Sequence, residues 1–212
     1  MDGWTTVARE ADATYTDRKS VFIAEVRPVR TEDEALAFLE QIKKKRADAR
    51  HHVYAYILNE HNTSRFSDDG EPHGTAGMPI LTLLRRENLS DVVLVVTRYF
   101  GGILLGTGGL VRAYTESARM ALENAGRQVV EKVVRFSVDC PYSEYAKLES
   151  LLSSRGDRIR KEDATFEHSV RMTFLCAEKE TPALLRDWTD KTAGKIPMKA
   201  EETLFDVLKT DG

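Results

Sequence analysis

Two neighbouring stretches decide the fold of this chain: residues 67–81 read SDDGEPHGTAGMPIL, and residues 91–114 read DVVLVVTRYFGGILLGTGGLVRAY. The first is an acidic turn, and the second joins an apolar strand to a glycine-rich loop. Glycine loses more backbone entropy on folding than other residues and has no side chain to bury. Repeated glycines here therefore indicate close backbone approach. We expect one local unit between Ser67 and Tyr114 to form the functional surface of the protein.

The composition is that of a globular protein of one large or two small domains. The chain has 212 residues, 42% of them hydrophobic and 31% charged, with a formal net charge of −3. No apolar run has the length of a membrane span, and the N-terminus lacks the regions of a signal peptide. We expect a cytoplasmic protein without a membrane partner. Its overall charge does not favour nucleic acid, so any RNA contact requires a local basic patch.

The two cysteines favour a reduced compartment. Cys140 and Cys176 each lie inside an apolar, strand-like run. This placement is typical of buried free thiols and not of a disulfide framework or a metal knuckle.

The first part of the chain alternates strands and helices. Thr31 and Glu34 form a capping box, which predicts a helix that ends in the basic run Lys43–Arg46. Because positive charge complements a helix C-terminus, we interpret that run as a solvated helix end and not as an RNA patch. The apolar run 91–97 predicts a central strand that is covered on both faces. The other predicted elements are a strand pair at 4–10 and 19–29 with a polar turn at 12–18, a strand at 51–58, and helices at 75–86 and 108–125.

The second part of the chain predicts a ferredoxin-like domain. Its patterns indicate β-α-β-β-α-β, in which two helices cover one face of an antiparallel sheet. The predicted strands are 129–140, 157–166, 168–177 and 198–208, and the predicted helices begin at 141 and 181. We therefore predict an α+β protein with domains at residues 1–127 and 128–212.

The motifs DDGEPxGTAGxP at 68–79 and VVTRYFGGxxLGxGGLVRAY at 95–114 resemble the signature of the IMPACT family, also called the YigZ family. The second region is similar to the small C-terminal domain of bacterial and archaeal members. The resemblance implies an N-terminal β-α sandwich like that of a ribosomal protein and of an elongation-factor domain. It also implies a link to translation, because eukaryotic relatives act in translational control. His73 departs from the pattern, since many relatives have a small residue there.

The acidic turn has two interpretations. Carboxylates beside His51, His52 and His73 suit a metal ion or a general base. Asp-Gly and Glu-Pro are also common turn chemistry, and we favour a structural turn because no helical pair of histidines is present. We hypothesise that Asp68, Asp69 or Glu71 pairs with an arginine of the second motif, Arg98 or Arg112, and holds the glycine loop in place.

The glycine loop also has two interpretations that the sequence leaves open. Backbone N–H groups at the following helix start, beside Arg98 and Arg112, suit a phosphate or another anion. Alternatively, the glycines permit tight turning and close helix–sheet packing. The spacing matches neither a P-loop nor a dinucleotide fingerprint, and no nucleophile motif is present. Of the two aromatic residues, we expect Tyr99 to be exposed and Phe100 to be buried.

These patterns predict a non-enzymatic factor that binds the ribosome, RNA or a translation-associated protein, with no DNA partner and no cofactor. The alternative is an enzyme or binder that acts on a phosphorylated or anionic small molecule. The predicted binding surface comprises residues of both motifs: Asp68, Asp69, Glu71, His73, Thr75, Arg98, Tyr99, Gly101, Gly102, Gly106, Gly108, Gly109 and Arg112.

Overall fold

The computed structural model describes residues 3–209, and these divide into two compact units. The N-terminal unit spans Trp4–Gln128, and the C-terminal unit combines Gly3 with residues 129–209. Helices and antiparallel sheets occur in both, so the predicted α+β class is confirmed. No helix within residues 3–209 has the length and apolar character needed to cross a membrane.

The N-terminal unit is built on a five-stranded antiparallel sheet with the strand order β2-β3-β6-β4-β5. Strand β1 lies beside Leu89 through a bridge at Thr5. The strands are β1 (Gly3–Val7), β2 (Ala11–Asp17), β3 (Ser20–Pro28), β4 (His51–Leu58), β5 (Thr63–Ser67) and β6 (Val92–Tyr99). The helices are α1 (Glu32–Lys45), α2 (Gly77–Arg86) and α3 (Gly106–Ala125), with a 3-10 turn at Glu60–Asn62.

Strand β6 is covered on both faces, as its unbroken apolar run predicts. Val92, Leu94 and Val96 belong to the core beneath α2 and α3, whereas Val93 and Val95 pack with α1 on the opposite face. Side chains alternate along a strand, so only apolar residues at every position satisfy both cores.

Helix α1 has the predicted N-terminal cap. Glu34 N donates to Thr31 Oγ1 at 3.2 Å, and the backbone N of Arg30 donates to Glu34 Oε2 at 2.6 Å. At its other end, Lys45 and Arg46 pair with the buried Glu25 at 2.7 and 3.0 Å. Part of the basic run therefore has a structural task that its helix-end position did not reveal.

The predicted pairing of the first two strands is wrong. Strand β3 pairs with β2, so residues predicted as a polar turn form a strand. The turn that joins them is Arg18–Lys19, with φ of 44° and 67°. These are the left-handed values of a two-residue hairpin turn, for which glycine or asparagine is usual. Strand β2 lies at a sheet edge and exposes Thr14 and Thr16. Its sequence is therefore as polar as that of a loop.

The C-terminal unit has the predicted ferredoxin-like topology. Its strand order is β10-β7-β9-β8, with antiparallel neighbours and α4 and α5 packed on one face. The elements are β7 (Arg127–Cys140), α4 (Tyr142–Ser153), β8 (Ile159–Phe166), β9 (Val170–Ala177), α5 (Thr181–Thr192) and β10 (Met198–Asp206), with 3-10 turns at Gly156–Arg158 and Glu178–Glu180. Cys140 and Cys176 are buried free thiols.

Candidate functional site: a groove beside the glycine loop

The acidic motif forms a tight turn directly after β5. Glu71 N donates to the carbonyl of Asp68 at 2.9 Å, and the central residues Asp69 and Gly70 have φ of 43° and 83°. Two positive φ values suit an Asp-Gly turn, because asparagine, aspartate and glycine tolerate this region best. Strand β5 was missed by the sequence analysis, yet it is the element that places this turn beside the end of the sheet.

Asp68 caps helix α2 from outside the helix. Its carboxylate accepts hydrogen bonds from the backbone N of Gly74, Ala76 and Gly77 at 2.8, 3.1 and 2.8 Å. Ala76, the residue that precedes the helix, has no side chain that can cap it, so Asp68 satisfies N–H groups that are otherwise orphaned. His73 lies on the outside of this turn with its side chain 98% exposed.

Thr75 belongs to the inner side of the same turn. It is buried, and its hydroxyl donates to the carbonyl of Pro72 at 2.6 Å. Thr75 therefore stabilises the approach to α2 and presents no polar group to solvent.

Asp69 attaches the turn to strand β4. Its carboxylate accepts from the backbone N of His52 at 2.6 Å, and its carbonyl oxygen lies 2.7 Å from Nδ1 of His51. Both acids at the start of the motif thus hold backbone in place.

Glu71 is buried and joins three elements. Its Oε1 accepts from Nη1 of Arg98 at 2.6 Å and from the hydroxyl of Tyr114 at 2.7 Å. The side chains of Glu71 and Arg98 are only 4% and 7% exposed. Burial and the neighbouring Glu71 carboxylate raise the pKa of Tyr114 far above its ordinary value, which keeps this hydroxyl a donor. A single oxygen of Glu71 therefore links the turn to the end of β6 and to helix α3.

The hypothesis of pairing between the motifs is confirmed for one pair. Glu71 pairs with Arg98, but Asp68 and Asp69 bind backbone N–H groups instead of arginine. Arg112 is exposed and pairs with Asp17 at the end of β2, at 3.0 Å. The partner of Arg112 is thus a carboxylate that lies 95 residues away in sequence.

The expected placement of Tyr99 and Phe100 is wrong. Tyr99 is half-buried, and its hydroxyl donates to Asp48 Oδ1 at 2.9 Å. Phe100 is 55% exposed. Strand alternation explains this, because Arg98 occupies the α3 face of β6 and Tyr99 the α1 face, while Phe100 lies just past the end of the strand.

Arg98 also contacts aromatic rings. Its guanidinium carbon lies 5.5 Å from the ring centroids of both Phe22 and Phe100, within cation–π distance. Its Nε is buried and makes no hydrogen bond with any described residue. The arginine is therefore held by Glu71 at one end and by rings along its plane.

The glycine loop serves packing at one position and exposes backbone at others. A Cβ on Gly101 would lie 2.0 Å from the carbonyl carbon of Lys19, so only glycine allows the hairpin turn to approach. Gly102 has a φ of 82° and faces open space. The remaining loop glycines lie at the start of α3, which begins two residues earlier than predicted: Gly106, Gly108 and Gly109.

A groove of about 540 Å³ lies between the start of β4 and the end of β6. Its cations are Arg50 and Arg98, and its apolar and aromatic walls are Tyr99, Phe100 and Leu104. We call it the RYF groove. Arg50 is exposed and has no ion pair or hydrogen bond with the described part of the chain, and Leu104 is 81% exposed. The RYF groove adjoins the acidic turn, in which the side chains of Asp68 and Glu71 are 11% and 4% exposed and that of Asp69 is 39% exposed.

Four groove residues were missed by the sequence analysis. Arg50 is separated from the motifs by strand β4, and only the pairing of His51 with Arg98 brings it beside them. Asp48, Ala49 and Leu104 also line the groove, and the sequence analysis assigned them no role. Among residues 3–209, no three His, Cys, Asp or Glu side chains are grouped so as to hold a metal ion.

Comparison with known proteins identifies relatives for both parts of the chain. Residues 18–122 match the model of the Impact N-terminal domain, and residues 138–195 match a domain of unknown function, DUF1949. The IMPACT family member YvyE of Bacillus subtilis is 36% identical over 210 residues, covering 97% of this chain and 94% of that protein. The IMPACT family member YigZ of Escherichia coli is 36% identical, covering 89% and 95% respectively.

More distant relatives and a solved structure agree with these matches. Protein IMPACT of Rattus norvegicus is 39% identical over 98 residues, which are 44% of this chain and 31% of that protein. A crystal structure of a hypothetical protein is similar with a TM-score of 0.61 and 30% identity, covering 95% of this chain and 98% of that one.

Proposed function

The chain belongs to the IMPACT family, and from this premise we propose that it is a non-enzymatic cytoplasmic factor associated with translation or its regulation. In this proposal it binds the ribosome, RNA or a translation-associated protein. The binding surface is the one presented by the DDGEP turn and the RYFGG loop, with the RYF groove at its centre. The translation link follows from the family resemblance, and the groove supports it physically.

One observation carries the proposal: a groove contains both an exposed aromatic ring and a cation that has no partner among residues 3–209. Arg50 and Phe100 line the groove, and Asp48 in its wall accepts a hydrogen bond from Tyr99. Ribosomal particles present phosphates and unstacked bases, and a groove with cationic and aromatic walls suits such a surface. The exposed His73, Arg112 and Gly102 extend the proposed surface beyond the groove.

An enzyme of phosphorylated small molecules is less well supported. The carboxylates that such chemistry needs are Asp68, Asp69 and Glu71, and each accepts hydrogen bonds from within the fold. A general base needs an oxygen that can reach its substrate. The binding factor is therefore the function that this site supports best.

Sedimentation of cell lysate through a sucrose gradient tests the proposal. We expect the protein to travel with ribosomal particles at low salt and less so at moderate salt, because phosphate contacts weaken as salt rises. Arg50→Ala removes an exposed groove cation and is expected to reduce comigration. Arg98→Ala is unsuitable, since it breaks a buried ion pair.

Arg86→Ala is the matched control. Arg86 is exposed at the C-terminal end of α2, at the opposite end of this helix from the acidic turn. Arg86→Ala removes one positive charge, as Arg50→Ala does, and is expected to leave comigration unchanged. Protein that stays at the top of the gradient at both salt concentrations contradicts the proposal.

A further inference from the structure

We infer that the RYF groove binds single-stranded RNA, with one base stacked on Phe100 and the adjoining phosphate paired with Arg50. The inference rests on the proposed function and names the partner class for the same surface. It depends on three observations: the ring of Phe100, the cations around it, and a second exposed aromatic cluster that lacks such cations.

Phe100 offers a stacking surface that is already supported from within the protein. Its side chain is 55% exposed although it follows a strand that is buried up to Arg98. The guanidinium of Arg98 lies 5.5 Å from the ring centroid, and Arg98 is itself anchored by Glu71 at 2.6 Å. The ring therefore lies against a fixed partner while the rest of it faces solvent. Every base has a π-face, so such a ring accepts unpaired bases of any identity.

Exposed cations beside the Phe100 ring are available to contact phosphate. Arg98 is neutralised by Glu71, so phosphate contact falls to exposed neighbours. Arg50 lines the groove without a partner in the described part of the chain, and the hairpin turn that packs on Gly101 carries exposed Arg18 and Lys19. Arg18 donates to the carbonyl of Leu104, at 3.4 Å, and so keeps its charge beside the loop. Arg50, Arg18 and Lys19 outnumber Asp48, the one carboxylate that lines the groove, so the surface around Phe100 is locally basic although the chain carries a net charge of −3.

A cluster of exposed aromatic residues in the C-terminal unit shows the contrast. Phe166 is 53% exposed, close to the value for Phe100, and lies 5.3 Å from the ring of Tyr145. Its neighbour Tyr142 donates to the carbonyl of Glu167. No ring of this cluster has an arginine or lysine within cation–π distance in the described residues. An exposed ring alone thus does not distinguish a nucleic-acid site, but a ring that packs on an arginine and shares its groove with an exposed cation does.

Unstacked bases distinguish single strands from duplexes. A duplex hides its base faces in the stack, so it can use Arg50 and Lys19 but not Phe100. A protein partner could bury Phe100 and Leu104, but it would not require unpaired phosphate-binding cations. The groove therefore favours single-stranded RNA, and a protein partner is an outcome of the test.

Fluorescence anisotropy with a short fluorescein-labelled oligoadenylate and the full chain tests the inference. Loss of one stacked base weakens binding about 5- to 150-fold, so Phe100→Leu is expected to show this change. Phe166→Leu is the matched control and is expected to bind like the wild type. Arg50→Gln is expected to lower the slope of log affinity against log salt by about 0.7, which is one phosphate contact on a single strand.

Phe100→Trp provides a readout that a purely structural role does not produce. The chain has two tryptophans, so a third at position 100 adds a signal at the groove itself. We expect the variant to retain affinity and its additional fluorescence to be quenched by the oligonucleotide. Duplex RNA of the same length is expected to compete poorly.

Two results overturn the inference: Phe100→Leu binds the oligonucleotide like the wild type, or duplex RNA competes as well as the single strand. If the protein still comigrates with ribosomal particles in that case, the proposed function stands and its partner is a protein or a duplex. If comigration also fails, the proposed function fails with it.

Discussion

The two units of this protein differ in how deeply they bury ion pairs. In the N-terminal unit, Glu71 and Arg98 form a buried ion pair, while the apolar Phe100 and Leu104 face solvent. In the C-terminal unit, the sheet face away from α4 and α5 carries solvent-accessible pairs. Examples are Arg135–Glu162 at 2.7 Å and Arg171–Asp139 at 2.9 Å.

This difference indicates different tasks for charge. A buried pair fixes geometry, because breaking it leaves an uncompensated charge in a poorly solvated site. Exposed pairs contribute little stability and neutralise one another. The N-terminal unit therefore uses one buried pair to fix the end of β6 beside an exposed apolar loop, whereas the accessible pairs of the C-terminal unit neutralise one another at the surface.

The largest expected effect comes from breaking the buried pair. Arg98→Ala leaves Glu71 buried with only Tyr114 as a donor, and we expect the free energy of unfolding to fall by about 3–5 kcal/mol. The matched variant Arg171→Ala removes an exposed pair with Asp139 and is expected to cost about 0–1 kcal/mol. Urea denaturation followed by circular dichroism measures both. Equal losses in the two variants would show that the contrast between the units is wrong.

The next effect sharpens the role of the glycine loop. Gly101→Ala places a Cβ 2.0 Å from the backbone of Lys19, and we expect a loss of about 1–3 kcal/mol from overpacking. Gly108→Ala is the control, because its Cβ meets nothing within 4 Å in the first turn of α3. That variant is expected to gain about 0.5–1 kcal/mol, since alanine has less backbone entropy to lose. Thermal denaturation distinguishes the two, and a stable Gly101→Ala variant would contradict the close approach.

A smaller effect tests whether Asp68 acts within the fold. Asp68→Ala removes the cap of α2, and we expect a loss of about 1 kcal/mol in urea denaturation. Asp163→Ala in the C-terminal unit removes an exposed acid whose hydrogen bond is to its own neighbour Ala164. It is expected to change stability by less than about 0.5 kcal/mol. A loss as small as this in Asp68→Ala would leave the acid free for another role.

The stability of the C-terminal unit at alkaline pH provides a further prediction. Burial raises the pKa of Cys176 to about 11 from an ordinary value of 9.0. A pKa raised in the folded state means that stability is unaffected below about pH 9 and falls as the pH rises towards 11. Cys176→Ala is expected to show a shallower decline over this range. In a Trp4→Phe background, the fluorescence of Trp188, which is buried in the same core, follows the unfolding of this unit, and identical pH profiles would contradict the prediction.

Much of the fold could be predicted from local patterns. The capping box at Thr31, the unbroken apolar run of β6 and the βαββαβ order of the second unit all have signals within a few residues. Strands β2 and β5 were missed, because polar strands at the edges of a sheet look like loops. The candidate site was predicted as a neighbourhood, and the RYFGG loop does adjoin the acidic turn. The roles of the individual site residues were not predicted, because Asp68 and Asp69 bind backbone N–H groups and Phe100 faces outward.

By itself the sequence determined the order of the elements, the central place of β6, the ferredoxin-like second unit and the family, because these depend on local periodicity and motif spacing. Only the tertiary structure decided which charges meet. Arg98 reaches Glu71 across 27 residues and Arg112 reaches Asp17 across 95, and both depend on how strands and helices come together. The RYF groove arises in the same way, since antiparallel pairing of β4 with β6 brings Arg50 beside Phe100. Local sequence carries no record of such distant neighbours, and so the RYF groove emerged only from the folded chain.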